Sequence, residues 1–149
     1  MTESLSYDLH KLTARLDRAA DRILREREGI SYSRFLTLFA VTNGAANQRA
    51  LAAWLGQSEP STSRMVGLLV GEGLLDVRRI PGAGNSRHLR LTSAGGELVE
   101  RGASLLEARF EELLERSGVS RASYQRQTRR LLDQLDAEAQ TQPGFSDAA

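Results

Sequence analysis

Hydrophobic positions near the start of the chain repeat at the spacing of an α-helix. Six apolar residues step by four, three, four, three and four positions: Leu5, Leu9, Leu12, Leu16, Ala19 and Ile23. Neither proline nor glycine interrupts this pattern before Gly29. A single apolar stripe on a long charged helix needs a partner surface, and near-heptad spacing is typical of helix pairing. The pattern therefore predicts a long N-terminal helix within residues 1–30 that packs on a partner surface.

Shorter helices are predicted in the next part of the chain. The apolar run over residues 31–41 predicts one helix, which the turn-forming pair Asn43-Gly44 ends. Asn47 and Ser58 are capping residues, and each precedes a further short apolar segment of helical spacing. Two short helices separated by a few residues are typical of a helix-turn-helix.

The hydrophobic pattern then changes from helical to alternating. Leu75 and Val77 precede a glycine-rich segment over residues 81–86, and Leu89 and Leu91 follow it. A period of two on both sides of a turn-rich segment predicts two strands joined in a hairpin.

Helical spacing returns in the last third of the chain. One helix is predicted from about Ser93 to Ser117, and a second is predicted to begin at Ser120. We expect these helices to occupy residues 93–138 and residues 139–149 to form a flexible tail.

The order of these elements predicts a mainly α (α+β) protein. Residues 31–92 would form a winged helix-turn-helix with a two-strand wing, flanked by long N- and C-terminal helices. A chain of 149 residues with 40% hydrophobic and 26% charged residues is typical of a globular protein. The sequence contains neither a long apolar segment nor a recognisable signal peptide, so we expect a cytoplasmic protein that does not bind a membrane.

Basic residues are concentrated in the middle of the chain. Residues 31–92 carry seven basic and three acidic side chains, whereas residues 93–149 carry seven basic and ten acidic ones. A phosphate-binding surface needs only local positive potential. Four arginines fall in the predicted wing, namely Arg78, Arg79, Arg87 and Arg90. This distribution favours double-stranded DNA as a partner.

The predicted second helix of the helix-turn-helix begins with small hydroxyl residues followed by an arginine. These residues are Ser61, Thr62, Ser63 and Arg64. The start of such a helix enters the major groove, where small hydroxyls permit close approach and arginine reaches guanine or phosphate. Alternatively, the serines only cap a core helix, and the wing arginines are only solvent-exposed side chains of a hairpin. The two features in succession favour the DNA-binding interpretation.

From this helix onward the sequence resembles the MarR family of transcription regulators. The resemblance rests on Gly73-Leu74-Leu75-Asp76-Val77-Arg78-Arg79, on Asn85-Ser86-Arg87 and on Leu91-Thr92-Ser93-Ala94-Gly95. It is most specific between Arg64 and Gly95, and the order of the flanking helices extends it over most of the chain.

The resemblance implies a homodimer in which the N-terminal dimerisation helix (residues 1–30) and the C-terminal dimerisation helices (residues 93–138) are interleaved. Its two winged heads would read a palindromic operator. It implies a repressor whose DNA affinity responds to a small aromatic or phenolic effector. Ser61, Thr62, Ser63 and Arg64 would face the major groove and Arg87 the minor groove. We expect Arg78, Arg79, Asn85 and Ser86 to complete the DNA site. Asn85 stands where the family usually has aspartate, so we expect a more mobile or differently anchored wing.

The effector site is the least determined part of this interpretation. The resemblance implies a cleft beside the reading head, which Tyr32, Phe35 and Phe39 could line. The same three aromatic residues would suit a hydrophobic core, and we expect at least two of them to belong to it.

Other function classes have less support in the sequence. The chain has no cysteine and two histidines, and it carries no recognised nucleophile, phosphate-loop or metal-ligand motif, so we expect no enzyme activity, cofactor or metal. Two alternatives remain: a winged-helix protein-interaction module, and an architectural protein that binds DNA without sequence preference. The wing arginines argue against the first alternative, and the second predicts weak selectivity and no effector response.

Overall fold

The computed structural model describes residues 4–82 and 87–141. In these residues the chain forms six helices and one two-stranded antiparallel sheet: α1 (Leu5–Glu28), α2 (Tyr32–Thr42), α3 (Gln48–Leu55), α4 (Glu59–Gly71), β1 (Leu75–Arg79), β2 (Arg87–Leu91), α5 (Ser93–Ser117) and α6 (Arg121–Thr141). This order confirms the predicted winged helix-turn-helix with long helices at both ends. No helix in the described part of the chain combines the length and apolar character that a membrane span requires.

Side-chain caps set the starts of α3 and α4, the two helices of the helix-turn-helix, as the sequence predicts. The side chain of Asn47 accepts a hydrogen bond from the backbone of Ala50 at 2.8 Å, and that of Ser58 accepts one from Ser61 at 3.3 Å. Each bond satisfies a backbone N–H that has no partner within its own helix. The two caps therefore fix where α3 and α4 begin.

The chain divides into two compact units, residues 1–106 and 107–149, with the boundary inside α5. The predicted division at residues 30 and 92 concerns roles in dimerisation and DNA reading, and it remains a prediction. The helix α6 continues to Thr141, past the predicted start of the tail. The rest of that tail lies outside the described residues.

The first unit is built around one hydrophobic core to which α1, α2, α3, α4, both strands and α5 contribute. Its fully buried side chains include Leu24, Leu38, Leu51, Leu69 and Leu75. Burial of one leucine side chain stabilises a fold by about 1.5–3 kcal/mol. The winged helix-turn-helix, from α2 to β2, and the helix α1 are therefore stabilised by the same hydrophobic core.

The start of α5 packs closely on the base of the wing. A Cβ atom added to Gly95 would lie 2.0 Å from the carbonyl oxygen of Leu74, so only glycine permits this approach. Thr92 reinforces the junction, because its hydroxyl donates to the carbonyl of Gly73 at 2.7 Å and accepts from the backbone of Gly95 at 3.0 Å. Thr92 is thus the residue that caps α5.

In the second unit, α6 packs on the C-terminal part of α5. The rings of Phe110 and Tyr124 lie 6.4 Å apart, and Arg121 forms ion pairs with Glu107 and Glu111. The acidic residues Glu107 and Glu111 of α5 are therefore both paired with one arginine of α6.

Candidate nucleic-acid interface

The helix α4 exposes polar side chains in its N-terminal half and anchors its inner face in the core. Val66 and Leu69 are buried on the inner face, whereas Ser63 and Arg64 are exposed. Ser61 lies half-buried between these two faces. The structure thus places two of the four predicted major-groove residues fully at the surface.

Thr62 does not belong to this surface. Its side chain is 0% exposed, and its hydroxyl donates to the carbonyl of Ser58 at 3.0 Å. A helical period of 3.6 residues aligns Thr62 with Val66 and Leu69 on the inner face of α4. We therefore correct the predicted major-groove role of Thr62 and assign this residue to the core.

Two exposed residues beside the predicted site were not identified from the sequence. Arg49 lies in the first turn of α3, so it adds a basic side chain to the first helix of the helix-turn-helix. Gly67 lies one turn after Ser63 and Arg64 on the exposed face of α4, and a Cβ atom there would meet nothing within 4 Å. The sequence does contain a signal for Gly67, because glycine weakens a helix and this glycine lies inside a predicted helix. Core packing does not require a glycine at this position.

The strand register arranges the wing arginines in opposed pairs. Leu75 and Val77 of β1 lie opposite Leu91 and Leu89 of β2 and pack toward the core. At the end of the two strands nearest the turn, Arg79 lies directly opposite Arg87. The two arginines therefore occupy neighbouring positions across the strands. Both side chains are exposed.

The outer face of the wing carries two further cross-strand pairs. Arg78 lies opposite His88, and Asp76 lies opposite Arg90. Among the described residues, none of the four wing arginines takes part in a salt bridge. Their charges therefore remain available to an anionic partner. The predicted contacts Asn85 and Ser86, including the expected change in wing anchoring, lie outside the described residues.

The aromatic residues proposed for effector binding form a stack that belongs largely to the core. The rings of Tyr32 and Phe35 lie 6.5 Å apart, those of Phe35 and Phe39 5.8 Å, and those of Phe39 and Trp54 6.4 Å. Phe35 is buried, and Tyr32 and Phe39 pack half-buried against the same cluster. This arrangement assigns Phe35 to the core and places Tyr32 and Phe39 at its edge.

The environment of Tyr32 keeps its phenol neutral. Burial raises the pKa of Tyr32, and the negative charge of Asp17 raises it further.

A groove of 270 Å³ does occur in the second unit, where Phe110, Leu114 and Tyr124 line it together with charged residues. Its lining does not include the three effector candidates.

Solved structures provide the comparisons, since no family model and no curated protein matches the sequence. Wild-type apo MarR from E. coli is 19% identical with a TM-score of 0.73, and the match covers 91% of this chain and 98% of that chain. A MarR/EmrR family regulator from Acinetobacter sp. ADP1 is 18% identical with a TM-score of 0.75, covering 92% and 95%. The MepR–DNA complex of S. aureus is 21% identical with a TM-score of 0.69, covering 90% and 96%.

These matches extend over nearly all of both chains. The fold implied by the sequence resemblance is therefore confirmed. This chain has the winged helix-turn-helix fold of the MarR transcription regulators.

Proposed function

We propose that this protein is a sequence-specific, DNA-binding transcription regulator of the MarR type. It acts as a homodimeric repressor that binds a palindromic operator and responds to a small-molecule effector. The observation that carries the proposal is the combination, in one compact unit, of exposed polar residues on α4 and four wing arginines that form no salt bridge among the described residues. The structure of MepR with DNA supports DNA as the ligand of this fold.

The exposed face of α4 supplies the direct readout. Ser63 and Arg64 lie near its N-terminal end, where a recognition helix meets base edges in the major groove. Arginine binds the O6 and N7 atoms of guanine with two hydrogen bonds, and serine donates to or accepts from bases and phosphates. Arg64 is therefore the residue on which sequence selectivity depends most.

The wing supplies the electrostatic part of the binding energy. Like charges directly opposite each other destabilise a strand pair, as for Arg79 and Arg87. A narrow minor groove or a pair of flanking phosphates neutralises both guanidinium groups at once. We infer that Arg87 enters the minor groove and that Arg78 and Arg79 contact the adjacent backbone.

A homodimer explains the apolar residues left at the surface of the terminal helices. The helix α1 exposes Leu5, Leu9 and Leu12, and α6 exposes Leu131, Leu132 and Leu135. Leucines at helical spacing on an exposed face are typical of an interface. Two copies of the reading head would then bind two half-sites related by the twofold axis.

Effector control acts through the separation of the two heads in the dimer. Dimers of this kind read half-sites about one helical turn of DNA apart. A ligand that binds better to a dimer with a different separation shifts the population away from the DNA-binding state. Tyr32 and Phe39, which are half-buried, are the candidate ligand contacts, whereas Phe35 belongs to the core.

The test is a binding titration of the purified protein with duplexes selected from a randomised library, at several salt concentrations. Random duplex serves as competitor, and Arg64→Ala and Arg87→Ala are compared with Arg126→Ala, which removes an exposed arginine of α6. We expect selective binding, with a loss of about 1–3 kcal/mol for Arg64→Ala and a reduced salt dependence for Arg87→Ala.

The outcomes separate the function classes. Equal binding to all duplexes would indicate an architectural protein, and no binding at low salt would overturn the proposal in favour of a protein partner. Effector control is tested by a screen of small aromatic and phenolic compounds against the selected complex. If no compound changes the affinity, this part of the proposal is wrong.

A further inference from the structure

An ion pair holds the C-terminal end of α4 to α2. Nη1 of Arg34 donates to Oε1 of Glu72 at 2.7 Å, across 38 positions of the sequence. The two side chains are 34% and 38% exposed, so water screens the pair only in part. Glu72 is the C-cap residue of α4, where the helix dipole disfavours a carboxylate. Helix stability alone therefore does not account for the acid at this position, whereas the pairing with Arg34 does.

The first turn of α2, which carries Arg34, is itself fixed to α1. The backbone N–H of Tyr32 donates to Oδ1 of Asp21 at 2.9 Å, and Oδ2 of the same carboxylate accepts from Nε of Arg25 at 2.7 Å. This turn thus contacts α1 through its backbone and the end of α4 through the side chain of Arg34. The result is a continuous polar connection from α1 to the reading helix.

Glu72 also lies where the reading helix leads into the wing. The next residue, Gly73, adopts a left-handed conformation with φ of 73°, and its carbonyl accepts from the hydroxyl of Thr92. Arg34 of α2 therefore holds Glu72, and Thr92, which lies between β2 and α5, holds the adjacent Gly73. A shift of this junction would move the end of α4 and the start of β1 together.

We propose that Arg34 and Glu72 are positioning residues for DNA recognition. Their ion pair sets the orientation of α4 and of the wing base relative to α2, and it does so without contacting DNA. Glu72 lies about 12 Å along the helix axis from Arg64, at the opposite end of α4 from the predicted base contacts. The inference rests on the proposed function, because its readout is the affinity for DNA.

Charge and geometry predict opposite results for one substitution. Glu72→Gln removes an acid from the reading head, so Coulomb interactions with phosphate alone would strengthen DNA binding. Loss of the ion pair would instead misplace α4 and weaken binding. We expect a roughly three- to fivefold rise in Kd, the range of a partly exposed ion pair. The slope of log Kd against log salt should remain unchanged because no phosphate contact is lost.

The experiment measures Kd and salt slope for the wild type, Glu72→Gln, Arg34→Gln and the exchanged pair Arg34→Glu with Glu72→Arg, on duplexes selected by the wild type. Glu112→Gln is the matched control, since it breaks the exposed Arg109–Glu112 pair of α5 with the same change of charge. Thermal unfolding establishes that each variant is folded at the temperature of the titration.

Three results would support the inference together: weaker binding by both single variants, recovery in the exchanged pair, and no change for Glu112→Gln. Binding by Glu72→Gln that equals or exceeds that of the wild type would overturn it. If a single variant does not fold, the exchanged pair decides, and a folded exchanged pair with weak binding also overturns the inference. Absence of DNA binding by the wild type would instead refute the proposed function.

Discussion

Among single residues, Gly67 stands out because the fold does not require it. A glycine in a helix interior costs about 1 kcal/mol relative to alanine. A Cβ at Gly67 would meet nothing within 4 Å, in contrast to Gly95, where it would collide with Leu74. Gly67 lies on the exposed face of α4, one turn after Arg64. We infer that the bare backbone at Gly67 permits close approach of the helix to DNA.

The substitution Gly67→Ala tests this inference by separating stability from binding. We expect the free energy of unfolding to rise by about 0.5–1 kcal/mol, because alanine favours the helix and no neighbour is displaced. DNA affinity should fall, since the methyl group separates the helix from the groove. Urea unfolding and binding titration measure the two quantities. Gly96→Ala is the control, because a Cβ there also meets nothing within 4 Å; a variant at Gly67 that binds like the wild type would refute the close-approach inference.

Thr62 shows why residue roles were harder to predict than elements. The hydroxyl residues Ser61, Thr62 and Ser63 are chemically similar, so residue type alone predicts that they share one surface. Their directions differ because successive residues of a helix are rotated by about 100°. The spacing of Thr62 from Val66 and Leu69, four and seven positions, already contained the inward direction. Helical phase was therefore the sequence signal that could have identified Thr62 as a core residue.

For the secondary-structure elements, α1 and α2 share the hydrophobic core and are also joined by a polar contact through the carboxylate of Asp21. The hydrogen bond from Arg25 lowers the pKa of Asp21, and the bond from the backbone N–H of Tyr32 lowers it further. A carboxyl whose pKa is lowered by folding stabilises the native state above its ordinary pKa. That contribution is lost as the pH falls through the lowered value. The attachment of α2 to α1 should therefore weaken only under acidic conditions.

A comparison of the wild type with Asp21→Asn at two pH values tests the role of this charge. We expect the variant to be less stable than the wild type near about pH 7, and the difference to shrink at a second, acidic pH at which the carboxyl of Asp21 is protonated despite its lowered pKa. Urea unfolding at both pH values gives the measurement. Glu26→Gln, at an exposed position of α1, is the control. A stability difference of the same size at both pH values would show that the Asp21 charge does not hold the two helices together.

The elements were predictable from sequence because their signals are local. Periods of 3.6 and 2 residues, together with caps such as Asn47 and Ser58, lie within each helix or strand. The pair Arg34–Glu72 was not predictable, because its partners are 38 positions apart and each is a partly exposed charged residue. No periodicity marks such a contact. The connections between elements were thus the part of the site that required the structure.

For the whole molecule, the apolar surface of α6 determines the expected assembly. In the described part of α6 no residue is buried, and Leu131 and Leu135 are 62% and 61% exposed. These two leucines lie four positions apart, on the same side of the helix. A 21-residue helix without a buried side chain depends on contacts outside its own chain for much of its stability. We therefore expect α6 to be stabilised mainly by a second copy of the chain.

The double substitution Leu131→Gln with Leu135→Gln should convert the dimer to a monomer, because each leucine loses about 1.5–3 kcal/mol of burial at the interface. Sedimentation analysis measures the mass, and the unfolding midpoint of the wild type should rise with protein concentration, whereas that of the variant should not. The monomer should also lose most of its affinity for a two-half-site duplex while binding a single half-site as the wild-type head does. Val119→Gln removes an exposed apolar residue between α5 and α6 and serves as the control, for which we expect an unchanged mass. If the double variant remains dimeric at the concentrations where the wild type does, α6 does not form the interface, and the exposed leucines of α1 become the next candidates.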